Sequence, residues 1–232
     1  APLLILAEVL VHKSLPPTIR LFLDNGLIRE ADRSRFEAAI ASALRLRNSI
    51  VPELLRRDWP AVRFVFPHAP VRAVTINGGA RMRAWYDIRD MNLANRADSE
   101  GVAESVAQVE ALIAREAERG IGAERLLLAG FSQGGAVTLA AGIARTRPLA
   151  GLVALSTYLP MTPAQAQAAL QPAATAQPVF MAHGQYDPVV PCAGGEMSAA
   201  ALRQFGFDVQ WQRYPMQHSV CAEEIGDLGD WL

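Results

Sequence analysis

Short apolar runs alternate along this chain with longer stretches of helical periodicity. The runs at residues 62–66, 126–129, 151–156 and 178–184 are too short for buried helices, and each is followed by proline, glycine or a polar turn; they predict buried strands. Residues 209–214 alternate apolar and polar, as in a strand with one wetter face. Between these lie helical patterns. Residues 99–119 place Val102, Val106, Val109, Leu112 and Ile113 on one face, and further helices are expected over 136–144, near 197–205 and over 221–232. Toward the start, residues 3–11 read as a strand, and 19–23 as a strand-like run closed by Asp24-Asn25-Gly26. Residues 32–47 carry Phe36, Ile40, Ala43 and Leu44 at helical spacing behind an Asp32 cap, and 48–58 continue as a second helix interrupted by Pro52. Residues 161–172, rich in alanine and glutamine, read as a weakly amphipathic insertion, either a solvated connection or a small cap. Strands alternating with helices predict an α/β fold, a mostly parallel sheet with helices on both faces, in one domain over 1–232.

Composition narrows the function classes. With 51% hydrophobic residues in 232, one core of ordinary size can be filled. A formal net charge of −1 argues against nucleic acid or an anionic membrane as the main partner. The apolar stretch 3–11 is broken by Ala7-Glu8, lacks a basic start and is too short to span a bilayer, so no stable membrane insertion is expected. Cys192 and Cys221 are too few for a disulfide framework or a metal site. Two reduced thiols fit a cytoplasmic protein.

The chemistry is concentrated around Ser132. Leu126-Leu127-Leu128-Ala129 runs into Gly130-Phe131-Ser132-Gln133-Gly134, a Gly-x-Ser-x-Gly pattern with a strand before it and a helix after it. In that setting the pattern forms a nucleophile elbow, a sharp turn that presents a serine hydroxyl at the sheet edge. The backbone N–H of Gln133, at the helix start, is then a candidate oxyanion donor. A hydrolase triad of this type runs Ser, then Asp or Glu, then His. Asp187 falls just past the predicted strand 178–184, at the carboxyl edge where catalytic groups of parallel sheets gather. Asp208 is the runner-up acid, but it precedes a strand and so belongs to the other edge. His218 follows the last strand on a loop broken by Pro215 and is the candidate general base. His183, at a strand end beside Gly184, reads as structural. Such a triad needs no metal and no organic cofactor.

From residue 50 onward the chain resembles the bacterial carboxylesterase and acyl-protein thioesterase family of α/β-hydrolases. The resemblance is carried by Val62-Arg63-Phe64-Val65-Phe66-Pro67-His68-Ala69-Pro70, Val74-Thr75-Ile76-Asn77-Gly78-Gly79 and Trp85-Tyr86-Asp87. It continues through Gly130-Phe131-Ser132-Gln133-Gly134-Gly135, His183-Gly184-Gln185-Tyr186-Asp187-Pro188-Val189-Val190-Pro191 and His218-Ser219-Val220-Cys221. It implies hydrolysis of short to medium carboxylic esters, with thioesters and lysophospholipids as further candidates, and Ser132, Asp187 and His218 at the triad positions. It also implies a small-molecule acyl ester as partner, places Trp85 and Tyr86 near the acyl site, and suggests a homodimer.

Residues 1–49 depart from the family pattern. The family's His-Gly-x-Gly loop, whose backbone supplies a second oxyanion donor, has no counterpart here, since Gly26 is the only glycine before Gly78. Loss of one such donor lowers kcat by about 10²- to 10³-fold. Two readings from different classes follow: a serine esterase of weak to moderate activity, or a binding protein on a hydrolase scaffold with an inert site.

Overall fold

The computed structural model describes residues 3–7, 62–90, 92 and 98–232. Among them, six strands form one sheet: β1 (Leu3–Ala7), β2 (Val62–Val65), β5 (Leu126–Phe131), β6 (Gly151–Leu155), β7 (Val179–Gly184) and β8 (Val209–Tyr214). Their spatial order is β2-β1-β5-β6-β7-β8, and every neighbouring pair is parallel. A separate antiparallel hairpin, β3 (Val71–Val74) and β4 (Ala80–Arg83), stands beside the sheet. The helices are α1 (Ser99–Glu118), α2 (Gln133–Ile143), α3 (Pro163–Ala169), α4 (Cys192–Gln204) and α5 (Ala222–Trp231).

Side chains of β5, β6 and β7 alternate between two cores, which is why these three strands are apolar at nearly every position. Leu126, Leu128, Leu152, Ala154, Val179 and Met181 face one way, into a core shared with Val109 and Ile113 of α1, Leu139 of α2 and Leu202 of α4. Leu127, Val153, Leu155, Phe180 and Ala182 face the other way, against Ile225 and Leu228 of α5. Helices therefore cover both faces, and the expected α/β architecture is present. Helix α2 is buried from Gly134 through Ile143, so it has no polar face to show.

Three elements differ from the sequence pattern. Helix α4 begins at Cys192, five residues before the expected start, and runs straight through Gly194-Gly195. Helix α2 begins directly after Ser132 rather than at 136. In the stretch 161–172, Pro163–Ala169 is a helix capped by a reciprocal Thr162–Gln165 pair, with Ala166 fully buried, so this segment is packed and not merely a solvated connection. The strand expected over 3–11 is present over Leu3–Ala7. The strand-like run at 19–23 and the helices at 32–47 and 48–58 lie outside the described residues. No helix among the described residues is long and apolar enough to cross a membrane.

Candidate active site

The parallel registers bring the carboxyl ends of β5, β6, β7 and β8 to one edge. Phe131 pairs with Leu155, and Gly184 with Tyr214. Ser132 follows β5 with φ 55° and ψ −118°, a conformation that a non-glycine residue holds only when its surroundings enforce it. Those surroundings are visible. The Ser132 N–H donates to the Leu155 carbonyl at 2.9 Å, and the Thr157 hydroxyl donates to the Ser132 carbonyl at 2.6 Å. Gly130 permits the tight turn, because a Cβ there would lie 2.1 Å from the Gly134 carbonyl carbon.

The three residues proposed from sequence meet at this edge. His218 Nε2 lies 3.0 Å from Ser132 Oγ, and His218 Nδ1 lies 2.6 Å from Asp187 Oδ2. With Nδ1 donating to the carboxylate, Nε2 is left as an acceptor for the serine proton. The loop after β8 holds the imidazole in place, with the Phe131 ring packed 4.7 Å from it, centroid to centroid. The loop after β7 is tied to the same region by Gln185 N–H to the Tyr214 carbonyl and Tyr186 N–H to the Met216 carbonyl.

Asp187 is buried but well supplied with donors. Its Oδ1 accepts the backbone N–H groups of Val189 and Val190, each at 2.8 Å. Burial pushes the carboxyl pKa up, but hydrogen bonds from His183, His218 and the Val190 backbone outweigh it and hold the group well below the usual carboxylate range. The site therefore carries a fixed negative charge facing His218. Asp208 precedes β8, at the opposite edge.

The remaining candidates fall close to the serine. Gln133 is the first residue of α2, so its backbone N–H is among those that a helix start leaves without intrahelical partners. Its side chain accepts from the Trp85 N–H at 3.1 Å and donates to the Tyr86 carbonyl at 2.9 Å. Trp85 and Tyr86 are almost wholly buried, 2% and 1% exposed. The structure thus buries both in the core next to the Gln133 side chain. Ser105 Oγ donates to the Trp85 carbonyl, and the Tyr86 and Tyr158 hydroxyls lie 3.2 Å apart. His183 is fully buried beside Asp187.

Sequence reasoning missed Thr157 and the side-chain role of Gln133. Thr157 follows β6 at the same carboxyl edge, so the edge rule applied to every strand would have found it. Its neighbour Ser156, with φ 47°, is the other described non-glycine residue of positive φ.

An open parallel sheet with a serine elbow after a central strand and helices on both faces is the α/β-hydrolase fold. Residues 53–232 match the family model described as Phospholipase/Carboxylesterase, and the chain belongs to that family. Named relatives include acyl-protein thioesterase 1 of Gibberella zeae, 39% identical over an alignment of 184 residues that covers 76% of this chain and 78% of that protein. Acyl-protein thioesterase 1 of Mycosarcoma maydis is 36% identical over 230 residues, covering 93% of this chain and 90% of its own. These relatives are fungal, where the sequence resemblance pointed to the bacterial branch; the second alignment also runs into the N-terminal part that the family model leaves out. Among solved structures, SOBER1 of Arabidopsis thaliana superposes with a TM-score of 0.75 at 25% identity, covering 100% of this chain and 97% of that one.

Proposed function

We propose that the chain is a serine hydrolase of short to medium carboxylic esters that works through an acyl-enzyme on Ser132. The observation that carries this reading is the continuous line Ser132 Oγ, His218 Nε2, His218 Nδ1, Asp187 Oδ2, with steps of 3.0 and 2.6 Å. In this scheme His218 takes the Ser132 proton as Oγ attacks the acyl carbon. The negative charge that develops on the carbonyl oxygen is met by the Gln133 N–H, while Asp187 stabilises the imidazolium. Collapse breaks the bond to the leaving group, which takes the proton from His218 and departs as an alcohol or thiol. Water, deprotonated by His218, then attacks the ester on Ser132; the bond to Oγ breaks, Ser132 takes the proton back from His218, and the carboxylic acid is released.

Thioesters are proposed substrates on the likeness to acyl-protein thioesterase 1 of Gibberella zeae, and the same leaving-group step serves them. The two cysteines, both free, suit a reducing compartment such as the cytoplasm.

Hydrolysis of p-nitrophenyl butyrate, with Ser132→Ala and a phosphonate label alongside, tests the reading. Turnover falling by about 10⁴-fold or more in the variant, with the label on Ser132, is the expected result. A folded protein that neither turns over nor labels would favour the binding-scaffold alternative.

A further inference from the structure

His183 lies at the carboxyl end of β7 with no solvent exposure, and a fully buried imidazole has to account for both of its nitrogens. Its Nε2 lies 2.9 Å from the Val190 carbonyl oxygen and 3.4 Å from Asp187 Oδ2. Its Nδ1 is buried with no hydrogen-bond partner. The tautomer follows from these contacts. A proton on Nδ1 would be a buried donor without an acceptor, while the bare Nε2 would face two oxygen acceptors; a proton on Nε2 satisfies both conditions. His183 is therefore a neutral imidazole donating from Nε2, chiefly to Val190, with the Asp187 oxygen as a longer second acceptor.

The acceptor is the same Oδ2 that takes His218 Nδ1–H at 2.6 Å. The carboxylate is thus held from three sides: two backbone N–H groups on Oδ1, the candidate base on Oδ2, and the edge of a second histidine behind Oδ2. Packing keeps that second ring in place. Helix α4 crosses it at Gly195, where a Cβ would sit 2.4 Å from His183 Nδ1, and the Trp211 ring of β8 lies 6.0 Å away, centroid to centroid. This contact accounts for a glycine in the first turns of α4.

We propose that His183 is a positioning residue for Asp187: anchored on the Val190 carbonyl, its Nε2–H occupies the side of Oδ2 that His218 does not use, and so fixes the tilt of the carboxylate and how strongly it pulls on His218. The inference rests on the serine-hydrolase reading above. Other titratable groups reach this carboxylate as well. The Cys192 thiol at the head of α4 feels the charge of Asp187, together with those of Glu196 on the same helix and Arg213 on β8. His183 Nε2 faces the Asp187 oxygen directly, at 3.4 Å, so changing His183 leaves these other groups in place.

Removing the donor makes Oδ2 a stronger acceptor for His218 Nδ1–H, which favours the imidazolium. The acid limb of the kcat/KM profile then moves to higher pH. A neutral, shared hydrogen bond corresponds to a shift of about 0.5 pH unit. The experiment is a pH profile of p-nitrophenyl butyrate hydrolysis for the wild type, His183→Leu, His183→Gln and His183→Asn, with folding checked by circular dichroism and the serine titrated by phosphonate. His183→Leu is expected to raise the limb by about that amount and lower kcat about tenfold or more with little change in KM. His183→Gln can bring an amide N–H to the Nε2 position and is expected to restore the limb, whereas the shorter His183→Asn is not. A folded His183→Leu with an unchanged limb and kcat overturns the proposal. If His183→Leu does not fold, identical profiles for the Gln and Asn variants overturn it. A wild type that neither turns over nor labels overturns the serine-hydrolase reading itself, and this inference with it.

Discussion

Gln133 serves the elbow through its side chain as well as its backbone. The amide oxygen accepts from Trp85 N–H and the amide nitrogen donates to the Tyr86 carbonyl, so one side chain closes two backbone groups of the loop after β4. Replacing it by leucine removes both hydrogen bonds in a largely dry region, a loss of about 1–3 kcal/mol. The same change frees the start of α2 from that loop, and the Gln133 N–H with it. Gln133→Leu is therefore expected to lower kcat by about ten- to a hundredfold while KM moves less. A rise in KM with kcat unchanged would show that the side chain binds substrate instead of holding the elbow. Ser132, Asp187 and His218 were legible because two rules intersect on them, chain order and the strand edge. Thr157 and the amide of Gln133 were not, because they act on backbone groups 25 to 48 residues away, and no local spacing records such a contact.

The element that matters most is the turn from β5 into α2. Its strain is concentrated at Ser132, and its room is made by Gly130, where an added Cβ would meet backbone rather than a flexible side chain. Backbone cannot step aside without shifting α2, which is buried on all sides. Gly130→Ala is thus expected to destabilise the protein by about 3 kcal/mol or more, as overpacking at a rigid contact does. Urea denaturation measures it, and a midpoint within error of wild type would mean that the strand and helix can separate after all. The positions of β5, β6 and β7 were readable from apolar runs because these strands are covered on both faces. Helix starts were less so. At α4 the pair Gly194-Gly195 looks like a break, yet the helix passes through because Gly195 lets it close on His183. At α2 the glycines of the elbow hid a start directly after the serine.

Two cores on opposite faces of one sheet make up most of the described molecule, and beside the smaller lies a buried carboxyl group without a hydrogen-bond partner. Glu224, in the first turn of α5, has no solvent exposure, and neither carboxylate oxygen has a hydrogen-bond partner. Burial pushes its pKa up to about 8, only partly offset by the backbone at Cys221. Its neighbours do little to relieve it. The Cys221 thiol is itself pushed up by burial, and the Tyr214 hydroxyl is held well above its usual range by burial and by donation to Asp227 at 2.7 Å. The raised value sets the sign. Below the ordinary glutamate value of about 4.3 both folded and unfolded chains hold the proton, and no stability is lost. As pH rises toward 8 the unfolded chain releases it first, so stability falls, and above 8 the folded protein bears the full penalty of a buried carboxylate. Glu224→Leu removes the titration while keeping the space filled. The difference in melting temperature between variant and wild type should be small at pH 4.5. It should favour the variant increasingly up to pH 8.5, by roughly 2–4 kcal/mol, several degrees for a chain of this size. Taking the difference cancels Asp187 and every other group common to both proteins. A constant offset across that range would mean the carboxyl titrates normally, and that the α5 face is wetter than the packing of Ile225 and Leu228 with Phe180 and Leu155 implies.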